Sequence, residues 1–200
     1  MKPEPITSIT PSTSELRALA HPVRLRMLGL LRIDGPATAT SLAARMGLNS
    51  GATSYHLRQL AQHGFVVEDT ERGNARDRWW RAAHRSTQTA APEPGDLEGE
   101  ETLDAYVQAV ATFYTERLQR AIEERPALPP EWRRAETLSD WVVRLSPAGA
   151  RTLLDAIFEL VQETAEEDGD DAVDYAVQIA AFPQPGRLGA EPGAAEEVDG

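Results

Sequence analysis

The stretch SLAARMGLNSGATSYHLRQLAQHG, Ser41 to Gly64, decides the fold. Ser41 to Met46 is apolar on one side but too short to be a stable helix alone. Gly47 supplies the left-handed position that ends such a helix, and Leu48 is the apolar residue that folds back after it. Asn49 or Ser50 then caps a new helix, which runs to about His63 and is stopped by Gly64. Two short helices joined by a tight glycine-containing turn make a helix-turn-helix. In the second helix Thr53, Leu57, Leu60 and Ala61 share one face and are expected to pack on the preceding helices. Ser54, Tyr55, Arg58 and Gln62 point elsewhere.

The flanks extend this unit. Upstream, Ser14 to Ile33 reads as helix, interrupted near His21-Pro22, because proline is tolerated in a first turn but not in a helix interior. A short helix to about Ala20 and a new one from Pro22 follow. Val23, Met27, Leu28, Leu30 and Leu31 form the apolar face of the second, with Arg24, Arg26 and Arg32 left for solvent. Downstream, Phe65 to Glu68 and Asp77 to Ala82 are β-like and enclose the turn ERGNAR, Glu71 to Arg76. A hairpin after a helix-turn-helix is a wing. Trp79 and Trp80 point to opposite faces of its second strand, so one of them belongs in the core.

The rest of the chain is less regular. Arg85 to Glu101 has linker composition. Thr102 to about Arg125 is a long helix with a seam at Leu103, Val107, Val110, Tyr114, Leu118 and Ala121. Pro126 to Pro130 breaks it, and Trp132 to Glu136 suits one more helical turn. Leu138 to Leu145 reads as a strand. Ser146-Pro147 opens a helix with Leu153, Leu154, Ile157, Phe158, Leu160 and Val161 on its apolar side. Val173, Tyr175, Val177 and Ile179 alternate as in a second strand. If the two strands are parallel neighbours, the crossover is right-handed and Trp141, Phe158 and Tyr175 share a small core. The expected fold class is therefore mainly α with small β (α+β): an N-terminal winged helix-turn-helix, a long dimerisation helix and a small strand-helix-strand C-terminal region. The expected divisions are a disordered arm at 1–12, the winged helix at 13–84, a linker at 85–101, a dimerisation or effector region at 102–182 and a disordered acidic tail at 183–200.

Charge is unevenly spread over the 200 residues, whose formal net charge is −12. Residues 14–91 carry 11 Lys+Arg against 6 Asp+Glu, whereas residues 92–200 carry 8 against 25. Such asymmetry is a cue for a nucleic-acid-facing part joined to something else; it also fits acidic segments that merely solvate the chain. There are no cysteines, which removes disulfides, thiolate metal ligands and a cysteine nucleophile. No apolar run is long enough for a membrane span, and the N-terminus lacks the apolar centre of a signal peptide. The cytoplasm is the expected compartment. Glycine-rich phosphate loops, a nucleophile elbow and zinc motifs are absent, so an enzyme is not expected.

Residues 14–84 resemble the ArsR-like winged helix-turn-helix regulators. The matching stretches are LRALAHPVRLRMLGLL, TSLAARMGLNSGATSYHLRQLAQHGFV and ERGNARDRWWRAA. The resemblance implies a homodimer that binds operator DNA and usually represses. Beyond residue 100 the chain departs from the minimal family pattern, and nothing carries over there.

Residue chemistry adds the details. With residues 50–63 in the major groove, Ser50, Gly51, Ser54, Tyr55, His56, Arg58, Gln59 and Gln62 are the candidate DNA contacts. Arg and Gln are the more discriminating readers of base edges, and Gly51 and Ala52 permit close approach. On the wing, 70–78, Arg72, Asn74, Arg76 and Arg78 suit backbone or minor-groove contact; Glu71 and Asp77 leave surface pairing open for some of these arginines. A palindromic operator demands a two-fold protein. Leu16, Leu19, Leu103, Val107, Val110, Tyr114 and Leu118 are the candidate dimer contacts, with an intramolecular packing face as the alternative. His56 and His63 are seven apart, but no carboxylate-and-histidine cluster accompanies them, so neither a metal site nor a cofactor is expected. The expected partners are double-stranded DNA and a second copy, with a small-molecule effector left open and no membrane. The alternative reading is a winged helix that contacts protein without specific DNA binding.

Overall fold

The computed structural model describes residues 7–72, 77–165, 167, 169 and 171–188. A short strand, β1 (Ser8–Ile9), precedes α1 (Thr13–Leu19) and α2 (Pro22–Ile33). The break between the helices falls at His21-Pro22 as the proline requires. His21 caps α2, its Nδ1 accepting from the Val23 amide at 3.2 Å. Then come β2 (Ala37–Thr38), α3 (Ala39–Met46) and α4 (Ser50–Gln62). Gly47 is left-handed at φ 67°, and the Leu48 amide donates to the Ala43 carbonyl at 2.9 Å. That is the glycine-ended turn read from the sequence. Asn49 caps α4 by accepting from the Ala52 amide at 2.8 Å.

The wing is β3 (Val66–Glu68) and β4 (Trp79–Ala82), antiparallel, with β2 added on the other edge of β4. Trp80 is the buried tryptophan of the pair. The core lies where α1, α2, α4 and the wing converge: Leu19, Met27, Leu28, Leu42, Leu57 and Leu60 are fully buried, joined by Phe65 and Val66.

Two expected flexible segments are partly ordered. Ser8–Ile9 of the arm pairs in parallel with β5 (Ser86–Thr87), inside the expected linker. Arg32, expected at the surface, fixes this join by donating to the His84 carbonyl and the Thr87 hydroxyl, each at 2.8 Å. The long helix α5 (Leu97–Glu124) begins five residues earlier than expected, because Asp96 caps it through the Gly99 amide at 2.9 Å. A 3-10 turn (Arg125–Ala127), α6 (Pro130–Ala135) and α7 (Pro147–Glu163) complete the helices. α7 has the Ser146 cap and the proline start that its sequence announces.

The face that α5 buries differs from the expected seam. Gly99, Thr102, Tyr106 and Ala109 are buried against α1 and α2, with Leu103, Val110 and Phe113 partly buried beside them. The ring of Phe113 lies on Gly29 of α2, where a Cβ would overlap it. Val107 and Leu118 stay exposed on the other side. Leu16 and Leu19, expected at a dimer contact, lie in this chain's own core under α5.

The strands expected at Leu138 to Leu145 and Val173 to Ile179 are not formed, so the expected strand-helix-strand is reduced to its helix. Both runs lack a ladder partner in the single chain, and a strand without a partner leaves its amides and carbonyls to water. Trp141 and Tyr175, expected in a small core with Phe158, are exposed, Trp141 at 81%.

Candidate nucleic-acid interface

α4 is held from behind and open in front. Thr53, Leu57 and Leu60 are 0% exposed, and their four-then-three spacing puts them on one helical side. Thr53 satisfies its hydroxyl by donating to the Asn49 carbonyl at 3.1 Å. On the opposite side Ser50, Gly51, Tyr55, Arg58 and Gln62 are exposed, with Ser54 and Gln59 half-buried. Tyr55 is 53% exposed, unusual for a large ring. Among the described residues Arg58 has no ion-pair partner. The Gln59 and Gln62 side chains lie within hydrogen-bond reach of each other at 3.5 Å.

His56, a candidate DNA contact, is half-buried on the inward side of α4. Its ring packs on His21 with centroids 4.8 Å apart, and its Nδ1 is buried without a partner. Burial holds both imidazoles below their usual pKa. The nearby Arg24 charge adds to this at both, and the two histidines act on each other at His56. Arg24 itself is half-buried, its Nε donating to the Ala18 carbonyl, and it lies close enough to Tyr55 to interact electrostatically. His21 and Arg24 thus support the outer face of α4 from α2. Only the run of arginines along α2 hinted at this, and the sequence reading left them to solvent.

The two described wing arginines have acidic neighbours. Arg72 lies 3.6 Å from Asp69 and Arg78 lies 3.2 Å from Glu68. Arg78 also sits over the Trp80 ring at 5.8 Å. The Arg78–Glu68 pair is solvent-exposed and therefore weak, so a phosphate can take Arg78 over; Arg72 is itself exposed, over a largely covered Asp69. Asn74 and Arg76 lie outside the described residues.

Among the described residues the acidic helix α5 makes no extensive contact with α4. α5 packs on α1 and α2, and α4 packs on α3, α2, α1 and β3. Behind the helix-turn-helix a cleft of about 160 Å³ separates α2, the turn after α3 and α5, lined in part by Val23, Arg26, Leu48 and Phe113. Among the described residues no three His, Asp or Glu side chains gather as metal ligands, and no helix is long and apolar enough to cross a membrane.

A family model described as a helix-turn-helix domain matches residues 19–69. The HTH-type transcriptional regulator NmtR of Mycobacterium tuberculosis is 46% identical over 56 residues, which are 28% of this chain and 46% of the relative. The chain thus spans about half the length of the curated relative it matches. Among solved structures, reduced HlyU from Vibrio cholerae is 30% identical, covering 34% of this chain and 66% of that one with a TM-score of 0.30. A possible transcriptional regulator for arsenical resistance is 26% identical, covering 55% and 94%, with a TM-score of 0.31. The capped helices, the left-handed Gly47 turn, the strand pairing and the family match agree on one assignment: residues 19–69 carry a helix-turn-helix domain of the ArsR type, and the strands beside it make it a winged helix.

Proposed function

We propose that the chain is a DNA-binding transcriptional regulator, a repressor that binds a palindromic operator as a homodimer in the cytoplasm. α4 enters the major groove, and the wing lies along the backbone or minor groove. The observation that carries this reading is the outer face of α4. It presents Tyr55, Arg58 and Gln62 to solvent from a helix fixed by Thr53, Leu57 and Leu60, in the segment of the chain with excess positive charge. The regulator role printed for NmtR supports the same reading. Arg58 reads a base edge, Tyr55 and Ser54 contact backbone or bases, and the N-terminus of α4 at Ser50 and Gly51 receives a phosphate. The exposed side of α5 at Val107 and Leu118 meets the second copy, and Leu16 and Leu19 shape that surface from beneath.

Selection of bound fragments from random or genomic DNA with the purified full-length chain tests this. A shared motif with two-fold symmetry is expected, and its half-sites should lie about 34–36 Å apart. Recovery of no common motif overturns it. The acidic pairing of Arg72 and Arg78 favours a second reading, in which the winged helix contacts protein. Pull-downs that survive nuclease while the chain retains no DNA support that second reading.

A further inference from the structure

From the apolar surface that α7 and its flanking runs leave uncovered, we infer that residues 137–163 and 171–182 form a shared layer with the same residues of a second copy, their extended runs becoming strands only across that contact. This rests on the homodimer reading above and adds the segment that holds the two copies together.

α7 is 17 residues long and has no buried residue. Among the described residues it makes no extensive contact with another helix or strand, and Leu154, Ile157 and Val161 are only half-buried. A helix of this length is marginal in water unless its apolar face is covered, yet Leu153, Phe158 and Leu160 are exposed at 44%, 39% and 69%. The run before it exposes Leu138, Trp141 and Val143, and the run after it exposes Val173, Tyr175 and Val177. In the second run Val173, Tyr175, Val177 and Ile179 recur at every second residue, the period of a strand with one covered face; in the first, Trp141, Val143 and Leu145 share such a face, with Val142 apolar on the other. Together these side chains present on the order of 1,000 Å² of apolar surface, against the roughly 800 Å² per partner that a stable association buries.

The chain cannot cover this surface from its own winged helix, whose core is closed. It does hold the two runs near each other. The Tyr175 ring stacks on Trp132 of α6 at 6.3 Å, and its hydroxyl donates to the Ala135 carbonyl at 2.7 Å, just ahead of the first run. α5 also exposes Leu118 and Ile122 in its last two turns. A second copy fits the demand on three counts. It brings an equal apolar area. A run paired with its own equivalent about a two-fold axis is antiparallel and matches like side chains, as an isologous contact requires. The same axis serves two winged helices on a palindrome. The acids of this half remain at the rim, where they repel between copies. Added salt therefore tightens this contact while it loosens DNA binding.

Sedimentation and hydrogen exchange on the full-length chain and on the Trp141→Asp/Val143→Asp variant test the inference. The expected result is a dimer whose amides in 138–145 and 173–181 exchange at least 100-fold more slowly than unstructured chain. The variant should then be monomeric and lose that protection in both runs, with α4 still protected as proof that the winged helix is folded. A dimer with both runs unprotected overturns the inference and leaves the homodimer reading standing. A variant that remains dimeric with both runs protected does the same. A wild-type monomer, with the runs protected or not, overturns both.

Discussion

Arg58 carries the sharpest prediction at the scale of a single residue. It is exposed on the outer face of α4, and no described acid holds it. Arg58→Ala is expected to weaken operator binding by about 1–3 kcal/mol and to relax preference at one base position. Competition gel shifts with single-base operator variants check this. Arg72 and Arg78 start beside the acids Asp69 and Glu68, so Arg72→Ala is expected to weaken binding less and equally across sequences. Gly47 makes a prediction about stability. Its φ of 67° is one that a Cβ opposes, so Gly47→Ala is expected to cost about 1–2 kcal/mol in urea denaturation. The His21–His56 pair predicts a pH response. Burial lowers both pKa values in the fold, so the unfolded chain binds protons that the folded chain does not. Stability should then fall as pH drops below about 6.5 and recover above it. Urea midpoints at several pH values check the slope, and His56→Gln should flatten it.

Helices that end and begin on local signals were legible in the sequence; faces chosen by distant partners were not. Pro22, Gly47, Asn49, Gly64 and Ser146 act within a few residues of themselves, so the bounds of α2, α3, α4 and α7 followed from them. α5 shows the other case. Leu103, Val107, Val110 and Tyr114 make a helical seam, and Thr102, Tyr106, Ala109 and Phe113 make another one residue away. The second seam is buried because Gly29, far along the chain, leaves room for the Phe113 ring. Gly29→Ala is therefore expected to displace α5 and destabilise the fold by about 1–3 kcal/mol, measured by urea denaturation beside the wild type. Residues 173–179 alternate as a strand does, and Trp141, Val143 and Leu145 share one face of the run 138–145, but neither pattern supplies a neighbour. The outward row of α4 was largely legible from its spacing. His56, a candidate DNA contact, lies inward because it is three residues after Thr53 and four before Leu60, on their side of the helix beside the His21 ring.

The whole molecule divides its charge between two tasks. The segment with α4 and the wing is net positive, and the acidic helix α5 packs on α1 and α2, with no extensive contact to α4. The overall charge of −12 sets a long-range repulsion of DNA that salt screens over about 10 Å. Local phosphate contacts should still dominate the salt dependence. The most direct measurement is an anisotropy titration of the full-length chain against a selected duplex and a scrambled duplex of equal composition, at about 50 and 200 mM salt. Both affinities are expected to fall at the higher salt, the selected duplex to stay preferred by at least about 10³, and Arg58→Ala to narrow the preference. Equal affinity for the two duplexes at both salt concentrations would contradict sequence-specific binding.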